Sequence, residues 1–592
     1  MYTIEAATSF ADKDVGMDHW AGAENLTKRP PLPRLLVILL ALFASLIIIF
    51  EFSYDLKREV FLQKLVIWLD YGLLATFFFL IGYKVRRNKA PILQQIAAEK
   101  AEAAYLLLIV ICLIIPRLAA GLVIFRLLVA VFMKGLDTKL GVKILASLSW
   151  RPSQTLALSF IALIATGTIL LMFPAATIDG KGAPILSALF TMTSASCVAG
   201  LAIYDIGVEF TRFGQAVILF GMQAGGLGIM VLSAAFAVLV GGNIPSRRQV
   251  GLREVLDIST PEGLRSLIRA VSATTIITEL VGAFALFMLW HDYIPRTQDR
   301  LWWSIFHAVS AFCNVGLSLS NDSLIPFVND AGICLVFMML ITLGGVGFFV
   351  IADLLNKEVW AIKKPRAIWE RLQIQTKVVI VATILLDSLG MMLFLFFEYD
   401  GALRGLAADK KILASLFHAI SLRSAGFNVV PLANMAAPTI IFSIAFMFIG
   451  GSPGSTGGGI KTTTAFVSVM ALRAMLRGRE EVELFGRRMP SAIVSRSLSI
   501  VLVAAMVVGV FLTLLLATQE IAFEKLLFEV VSAFGTVGLT LDTTGALNDV
   551  GKFLIILVMY VGRIGPLTLA LAIGERKLSQ GFRLPKGQIA VG

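Results

Sequence analysis

Four short stretches of the chain end in the same arrangement of small residues and glycine. They are Ser196-Cys197-Val198-Ala199-Gly200-Leu201, Phe312-Cys313-Asn314-Val315-Gly316-Leu317, Leu422-Arg423-Ser424-Ala425-Gly426-Phe427 and Phe534-Gly535-Thr536-Val537-Gly538-Leu539. Their glycines lie 116, 110 and 112 residues apart. Turns of this kind can coordinate a cation through backbone carbonyls. A dehydrated ion needs close approach of the backbone, and glycine permits it because no Cβ intervenes. Four copies at one period point to quasi-fourfold symmetry about an axis. The expected ligands are the carbonyls of Gly200, Gly316, Gly426 and Gly538, with the two residues before each glycine lining the same turn.

A second constellation lies between the third and fourth turns. Gly450-Gly451-Ser452-Pro453-Gly454-Ser455-Thr456-Gly457-Gly458-Gly459-Ile460-Lys461-Thr462-Thr463-Thr464 interrupts an otherwise apolar stretch. Gly454 and Gly459 have the spacing of a phosphate-binding loop, but Ile460 intrudes before Lys461 and an apolar helix precedes the stretch where a strand is required. Non-helical backbone at membrane depth is tolerated where it is buried in protein or lines water. A loop able to obstruct a permeation path meets both conditions; a static helix break packed on a neighbour is the alternative. Arg563, in Tyr560-Val561-Gly562-Arg563-Ile564-Gly565-Pro566, is an intramembrane cation and so expected to face a cavity or a carboxylate. Near a cation path it would impose an electrostatic barrier, or it would pair with Glu279, Asp387 or Glu529. Arg423 and Glu529 are expected to brace their turns from behind.

Bulk composition says what must position these residues. With 592 residues, 57% of them hydrophobic and 15% charged, and a mean hydropathy of +0.85, the chain reads as polytopic membrane protein. Each turn is expected between two apolar spans: near 154–173 and 213–240, 268–290 and 332–354, 376–398 and 438–475, 491–517 and 552–573. The apolar segments before the turns, such as 301–312 and 521–534, fall short of the roughly 20 helical residues a crossing needs, so they read as re-entrant half-helices. Their C-terminal ends would turn partial negative charge toward an ion.

The net charge of +12 concentrates in connectors, such as Arg247, Arg248 and Arg253, then Lys357, Lys363 and Lys364, then Arg487 and Arg488. That is the bias of cytoplasmic loops, and it lacks the interleaved aromatics of a nucleic-acid groove. Asp205, Glu209, Asp322, Asp330, Asp542 and Asp549 follow the turns, so the turns open outward and an acidic mouth concentrates cations. Residues 1–145 stand outside the repeat, with spans near 35–54 and 65–83 and an apolar hairpin over 103–133. Arg117 and Arg126 are too few for a gating-charge ladder, which favours an accessory bundle over a voltage sensor. Cys112, Cys197, Cys313 and Cys334 lack metal-ligand spacing and read as buried thiols. His19, His291, His307 and His418 read as scattered, and no nucleophile elbow or paired catalytic carboxylates are evident, so an enzyme is not expected.

On Gly450–Thr464, Ser532–Leu539, Val561–Leu567, Gln223–Gly228 and Phe306–Leu317, the chain resembles the Ktr/Trk/HKT superfamily of potassium transporters, most closely the bacterial Ktr pore subunit. The resemblance runs from about residue 150 to the C-terminus. It implies potassium as the transported ion at Gly200, Gly316, Gly426 and Gly538, a homodimer with one pore per protomer, and gating by a cytosolic ring of nucleotide-binding regulatory subunits. In that superfamily, glycine in all four turns accompanies potassium selectivity and serine in the first accompanies sodium transport. Cys197, Ala199 and Cys313 depart from the residues usual there.

The expected fold class is therefore an all-α polytopic membrane protein of four helix–pore-loop–helix repeats. The organisation is a polar tail (1–33), accessory helices (34–145), repeat one (146–245), repeat two (246–358), repeat three with the Gly-rich loop (359–484), and repeat four with a C-terminal tail (485–592). The expected filter is Val198, Ala199, Gly200, Asn314, Val315, Gly316, Ser424, Ala425, Gly426, Thr536, Val537 and Gly538. The expected gate is Gly450, Gly451, Ser452, Pro453, Gly454, Ser455, Thr456, Gly457, Gly458, Gly459, Lys461 and Arg563. The expected function is channel-like potassium uptake across a bacterial-type plasma membrane, in contact with lipid, with no prosthetic group and with nucleotide acting only through a partner. The alternative is a sodium- or proton-coupled secondary transporter. Coupled transporters usually show two inverted halves with matched broken helices, whereas these repeats all begin inside and only one span reads as broken by glycine.

Overall fold

The computed structural model describes residues 152–228, 261–355, 365–433, 435–479 and 481–565, all within a unit comprising Phe52–Asp55 and Trp150–Gly592. The expectations for 1–145, for Cys112, Arg117 and Arg126, for residues 229–260 and for the tail beyond 565 fall outside the described residues.

One order of elements recurs. The first segment is α1 (Pro152–Leu171), α2 (Ile185–Ser196) and α3 (Arg212–Leu227). The second is α4 (Pro261–Leu289), α5 (Thr297–Phe312) and α6 (Ala331–Val346), continued by α7 (Phe348–Leu354) and α8 (Pro365–Arg371). The third is α9 (Ile374–Glu398), α10 (Ala408–Ser421), α11 (Ala437–Met447) and α12 (Thr462–Leu476), and the fourth is α13 (Ser491–Thr518), α14 (Phe523–Gly535) and α15 (Asp549–Ile564). Val271–Leu289 within α4, α9 and α13 are each long and apolar enough to cross a membrane.

Burial is inverted relative to a water-soluble bundle. The long helices present Phe284, Phe396 and Leu502 outward, whereas Phe190, Phe306, Phe417 and Phe528 of the short helices are fully buried. The short helices are thus the centre and the long apolar ones the skin, as a lipid solvent requires. Helix starts are written locally. Thr211, Asp330 and Asn548 cap α3, α6 and α15 by accepting from Gly214, Gly332 and Gly551 N–H groups, the role short oxygen-bearing side chains fill best. At α11 the capping group comes from α9: the Glu398 carboxylate accepts from Ala436 N–H at 2.8 Å and Thr439 Oγ1 at 2.6 Å.

The helix that follows each turn packs on the short helix of the next segment. α3 lies on α5, α6 on α10, α11 on α14, and α15 returns to α2. The contacts close a cycle.

Three expectations need correction. The second spans do not run through: α3 stops at Leu227, α6 breaks between Val346 and Phe348, and α15 stops at Ile564. Each ends at a glycine, Gly228, Gly347 and Gly565, with φ of 73°, 96° and 87° and ψ of 134°, 144° and 134°, a region nearly reserved to glycine. Glycine breaks therefore occur in every segment, not only at the Gly-rich loop. The chain is also not wholly helical, since Glu483–Leu484 pairs antiparallel with Arg487–Arg488 across Phe485 and Gly486, both of positive φ, the geometry of a tight hairpin turn.

Candidate functional site

The four short helices end in one backbone device. Val198, Asn314, Ser424 and Thr536, two residues before each glycine, are left-handed at φ of 58°, 57°, 63° and 50°. In copies one, two and four this closes a Schellman motif. Val198 N–H bonds Ala195 O at 3.2 Å and Ala199 N–H bonds Ser194 O at 2.8 Å, with Asn314/Ala311, Val315/Ser310, Thr536/Ala533 and Val537/Ser532 doing the same. Such closure reverses the chain at the helix end and satisfies its last carbonyls. Copy three closes one residue tighter: Ala425 N–H bonds Ser421 O, four residues back, at 3.1 Å, where the others reach five residues back.

The turns meet. A Cβ on Gly200 would lie 2.1 Å from Val315 O, one on Gly316 2.6 Å from Ala425 O, one on Gly426 2.5 Å from Val537 O, and one on Gly538 2.8 Å from Ala199 O. Each glycine thus abuts the carbonyl before the next glycine, and the fourth abuts the first. All four also have positive φ, between 75° and 94°, which an L side chain adopts only at a cost of roughly 1–2 kcal/mol. Val198, Ala199, Asn314, Val315, Ser424, Ala425, Thr536 and Val537 are fully buried around them.

The helices carry a second repeated pattern that reading from the glycines misses. Phe190-Thr191-Met192-Thr193-Ser194, Phe306-His307-Ala308-Val309-Ser310, Phe417-His418-Ala419-Ile420-Ser421 and Phe528-Glu529-Val530-Val531-Ser532 occupy matching positions. Two of the histidines are therefore equivalent rather than scattered. The serines tie helix to turn: Ser310 Oγ donates to Leu317 O at 2.7 Å, Ser421 Oγ to Phe427 O at 2.5 Å, and Ser532 Oγ accepts from Gly538 N–H at 3.2 Å.

Behind the turns, Arg423 pairs with Asp387 of α9 at 3.1 Å and donates to Thr383 at 3.1 Å. Cys313 lies 3.6 Å from Gln223 Oε1 and 3.8 Å from Glu279 Oε1. Glu529 accepts from Thr540 and Thr544. Asn314, its amide oriented as its neighbours require, donates to Ala311 O and Ile341 O and accepts from Gly345 N–H. Cys197, Cys313 and Cys334 are free and buried.

The Gly-rich stretch lies against the start of the turns and touches copies two, three and four. Ser452 N–H bonds Gly345 O at 3.1 Å, Thr456 N–H bonds Gly344 O at 3.2 Å, and Phe348 N–H bonds Gly454 O at 3.0 Å. Thr456 Oγ1 reaches Phe312 O at 3.1 Å, and Gly458 N–H reaches Thr536 Oγ1 at 3.0 Å. A Cβ on Gly457 would lie 3.3 Å from the Ser424 side chain, one on Gly458 2.3 Å from Thr536 Oγ1, and one on Gly459 3.2 Å from Gly535. Gly347 meets Pro453 O in the same way. Gly451 abuts Ser455, and the buried hydroxyls of Ser452 and Ser455 have no hydrogen-bond partner. At the neck, Gly450 N–H bonds Ile460 O at 2.9 Å, and Lys461 Nζ donates to Gly457 O at 2.6 Å.

Arg563 pairs with none of the three carboxylates weighed from the sequence. Its guanidinium donates to Thr456 O in the loop and to Gly225 O and Gly226 O at the end of α3. The carboxylates are engaged elsewhere: Asp387 by Arg423, Glu279 by Gln223, and Glu529 by threonines. A rigid fork suits several carbonyls at once.

On the far side of the turns, Asp205 has its carboxyl pushed above the ordinary aspartate range by burial and by the charge of Asp322. The Asn321 amide, oriented as its neighbours require, donates to it.

Residues 141–580 match the family model described as TrkH, cation transport protein. The chain is similar to the Ktr system potassium uptake protein B of Bacillus subtilis, 34% identical over 76% of this chain and 99% of that protein. It is similar to the protein of the same description from Vibrio alginolyticus, 36% identical over 70% and 90%, and to the potassium/sodium uptake protein NtpJ of Enterococcus hirae, 33% identical over 74% and 97%. In fold it resembles the potassium transporter TrkH of Vibrio parahaemolyticus, with a TM-score of 0.55 at 19% identity over 70% of this chain and 84% of that one. The chain belongs to the TrkH family of cation transport proteins.

Proposed function

We propose that the protein carries out potassium-selective, channel-like uptake across the plasma membrane through a filter formed by the four glycine turns around one pseudo-fourfold pore. Val198-Ala199-Gly200, Asn314-Val315-Gly316, Ser424-Ala425-Gly426 and Thr536-Val537-Gly538 present the carbonyls, and potassium sheds its water against them. The observation that supports this reading is the closed cycle in which each glycine abuts the carbonyl preceding the next one. The Gly-rich loop, from Gly450 to Gly459 with Lys461, is the gate, and Arg563 holds it closed. The protein acts as a homodimer, one pore per protomer, and a cytosolic ring of nucleotide-binding subunits opens it. The "system" in the names of two relatives is consistent with such a partner.

The test is Gly200→Ser in proteoliposomes, with potassium, rubidium and sodium uptake measured separately. The side chain enters where Val315 O lies 2.1 Å from an ideal Cβ, so discrimination against sodium should fall. Unchanged relative uptake of the three ions would overturn the assignment.

Sodium- or proton-coupled transport is the second reading. It gains from the breaks at Gly228, Gly347 and Gly565, because discontinuous helices are a feature of coupled carriers. An imposed sodium or proton gradient that drives potassium uphill in the same vesicles decides for it.

A further inference from the structure

The position three residues before the recurring serine of each short helix is buried, and its residue type varies among the four copies. Thr191 is 3% exposed, His307 0%, His418 2% and Glu529 0%. In copy two the ring of His307 bridges helix and outgoing strand. Nδ1 lies 2.9 Å from Trp303 O and, facing a carbonyl, carries the proton. Nε2 is then the acceptor, taking the Ser318 hydroxyl at 3.0 Å and the Leu319 N–H at 3.3 Å. In copy four Glu529 does the same work, accepting from Thr540 at 2.7 Å and from Thr544 at 2.5 Å. Ser318 and Thr540 each lie two residues after their glycine, so both braces seize the same point of the strand.

Copies one and three lack it. Ala202 follows Gly200 at that spacing and offers no side-chain donor. In copy three the His418 ring stacks on Phe394 with centroids 4.0 Å apart, and its buried Nε2 has no partner. Its strand is held from outside instead: Asn428 N–H donates to Ser323 Oγ at 3.2 Å, and Leu324 N–H donates to Asn428 O at 3.0 Å.

We propose that His307 and Glu529 are positioning residues that fix the second and fourth turns by clamping the strand leaving each glycine, and so contribute to ion discrimination. This rests on the reading of the turns as a filter. Carbonyls discriminate between ions of different size only to the extent that their spacing is held. A buried acceptor on the helix holds the strand at the residue where it leaves the ring. His307→Leu keeps the bulk and removes the acceptor, leaving Leu319 N–H unsatisfied. His307→Gln places an amide oxygen near the position of Nε2.

The test compares parent, His307→Leu, His307→Gln, Glu529→Leu, His418→Leu and Gly200→Ser in vesicles, reading the potassium-to-sodium uptake ratio and the melting temperature of each purified protein. His307→Leu and Glu529→Leu should each lower the ratio about fivefold to tenfold, the size expected when a buried donor loses its acceptor. His307→Gln should recover most of it, and His418→Leu should leave the ratio at the parent value even where it lowers the melting temperature. If Gly200→Ser shifts the ratio while His307→Leu and Glu529→Leu only lower the melting temperature, the braces are structural and the proposal fails with the filter reading intact. The proposal also fails if His418→Leu shifts the ratio as far as His307→Leu. A ratio that no variant moves, Gly200→Ser included, overturns both.

Discussion

Replacing Arg563 by alanine removes a crosslink among three parts of the molecule: α15, the end of α3, and the Gly-rich loop. Hydrogen bonds from a charged donor contribute about 1.5–3 kcal/mol each, and only the bond to Thr456 O reaches the loop, so its loss weakens the closed loop by about 1.5–3 kcal/mol. The loop keeps the neutral bonds of Ser452, Thr456, Gly454 and Gly458, at about 0.5–1.5 kcal/mol each. Arg563 is thus on the order of a third of what holds it. The charge would act separately on the proposed ion path: at about 4 Å and an effective dielectric near 20, a unit charge opposes a passing cation by about 4 kcal/mol. Both effects favour flux in the alanine variant, and a shift of only 1.4 kcal/mol is tenfold in an equilibrium.

Lysine restores the charge but reaches fewer carbonyls at once, so Arg563→Lys should fall between parent and alanine. The assay is rubidium uptake into vesicles at a fixed potassium gradient, with and without the regulatory partner, normalised to folded protein. Alanine should raise flux at least tenfold without the partner and blunt the partner's effect. A folded alanine variant that conducts like the parent in both conditions would refute the reasoning and leave Arg563 a packing residue.

Deleting residues 452–458 should raise flux at least tenfold and, because it removes no residue of the glycine turns, change the potassium-to-sodium ratio only by what the lost Gly458 N–H to Thr536 Oγ1 bond contributed; parental flux in a folded deletion would make the loop structural. The Arg423–Asp387 pair is 9% and 14% exposed, so Asp387→Leu should lower stability by about 3–5 kcal/mol by stranding a buried charge, while the double change Arg423→Leu/Asp387→Leu should recover most of that loss; thermal unfolding in detergent reads the difference. Because the Asp205 carboxyl is raised in the folded protein, it takes up its proton at a higher pH than a free aspartate. The folded state therefore gains relative stability below the free-aspartate range and loses it as pH rises through the raised value. Asp205→Asn should flatten that part of a melting-temperature profile, and an unchanged profile would refute the raised carboxyl, burial and the Asp322 charge alike.

The turns were legible because glycine at a fixed period needs no tertiary information, and the short helices because length alone separates 16 residues in α5 from 29 in α4. The three glycine breaks were hidden. Each lies three residues after a second glycine, Gly225, Gly344 or Gly562, where a Cβ would lie within 2.1 Å of a carbonyl of Ser196, Phe312 or Phe534, and no hydropathy window registers a contact that close. The Phe-x-x-x-Ser pattern was present in the sequence but out of register: counted back from glycine, Ser421 is five residues away and Ser194, Ser310 and Ser532 are six. Copy three turns without the full Schellman closure, and that one residue conceals the equivalence of His307 and His418. The partners of Arg563 were illegible for another reason. Composition suggests that an intramembrane arginine seeks a carboxylate, but the loop and the end of α3 supply carbonyls left free by helix ends.

The two ends of the Gly-rich loop are clasped together. Ile449 and Ile460 form a parallel bridge, Thr462 N–H bonds Gly451 O at 3.1 Å, and Thr462 Oγ1 bonds Gly450 O at 2.9 Å. The residues between form a cassette on a narrow neck. α11 and α12 are aligned by the clasp itself, so the cassette can change its shape without re-aiming either helix. Motion at this break can therefore stay inside the cassette, a separation that a single glycine at a helix end does not provide.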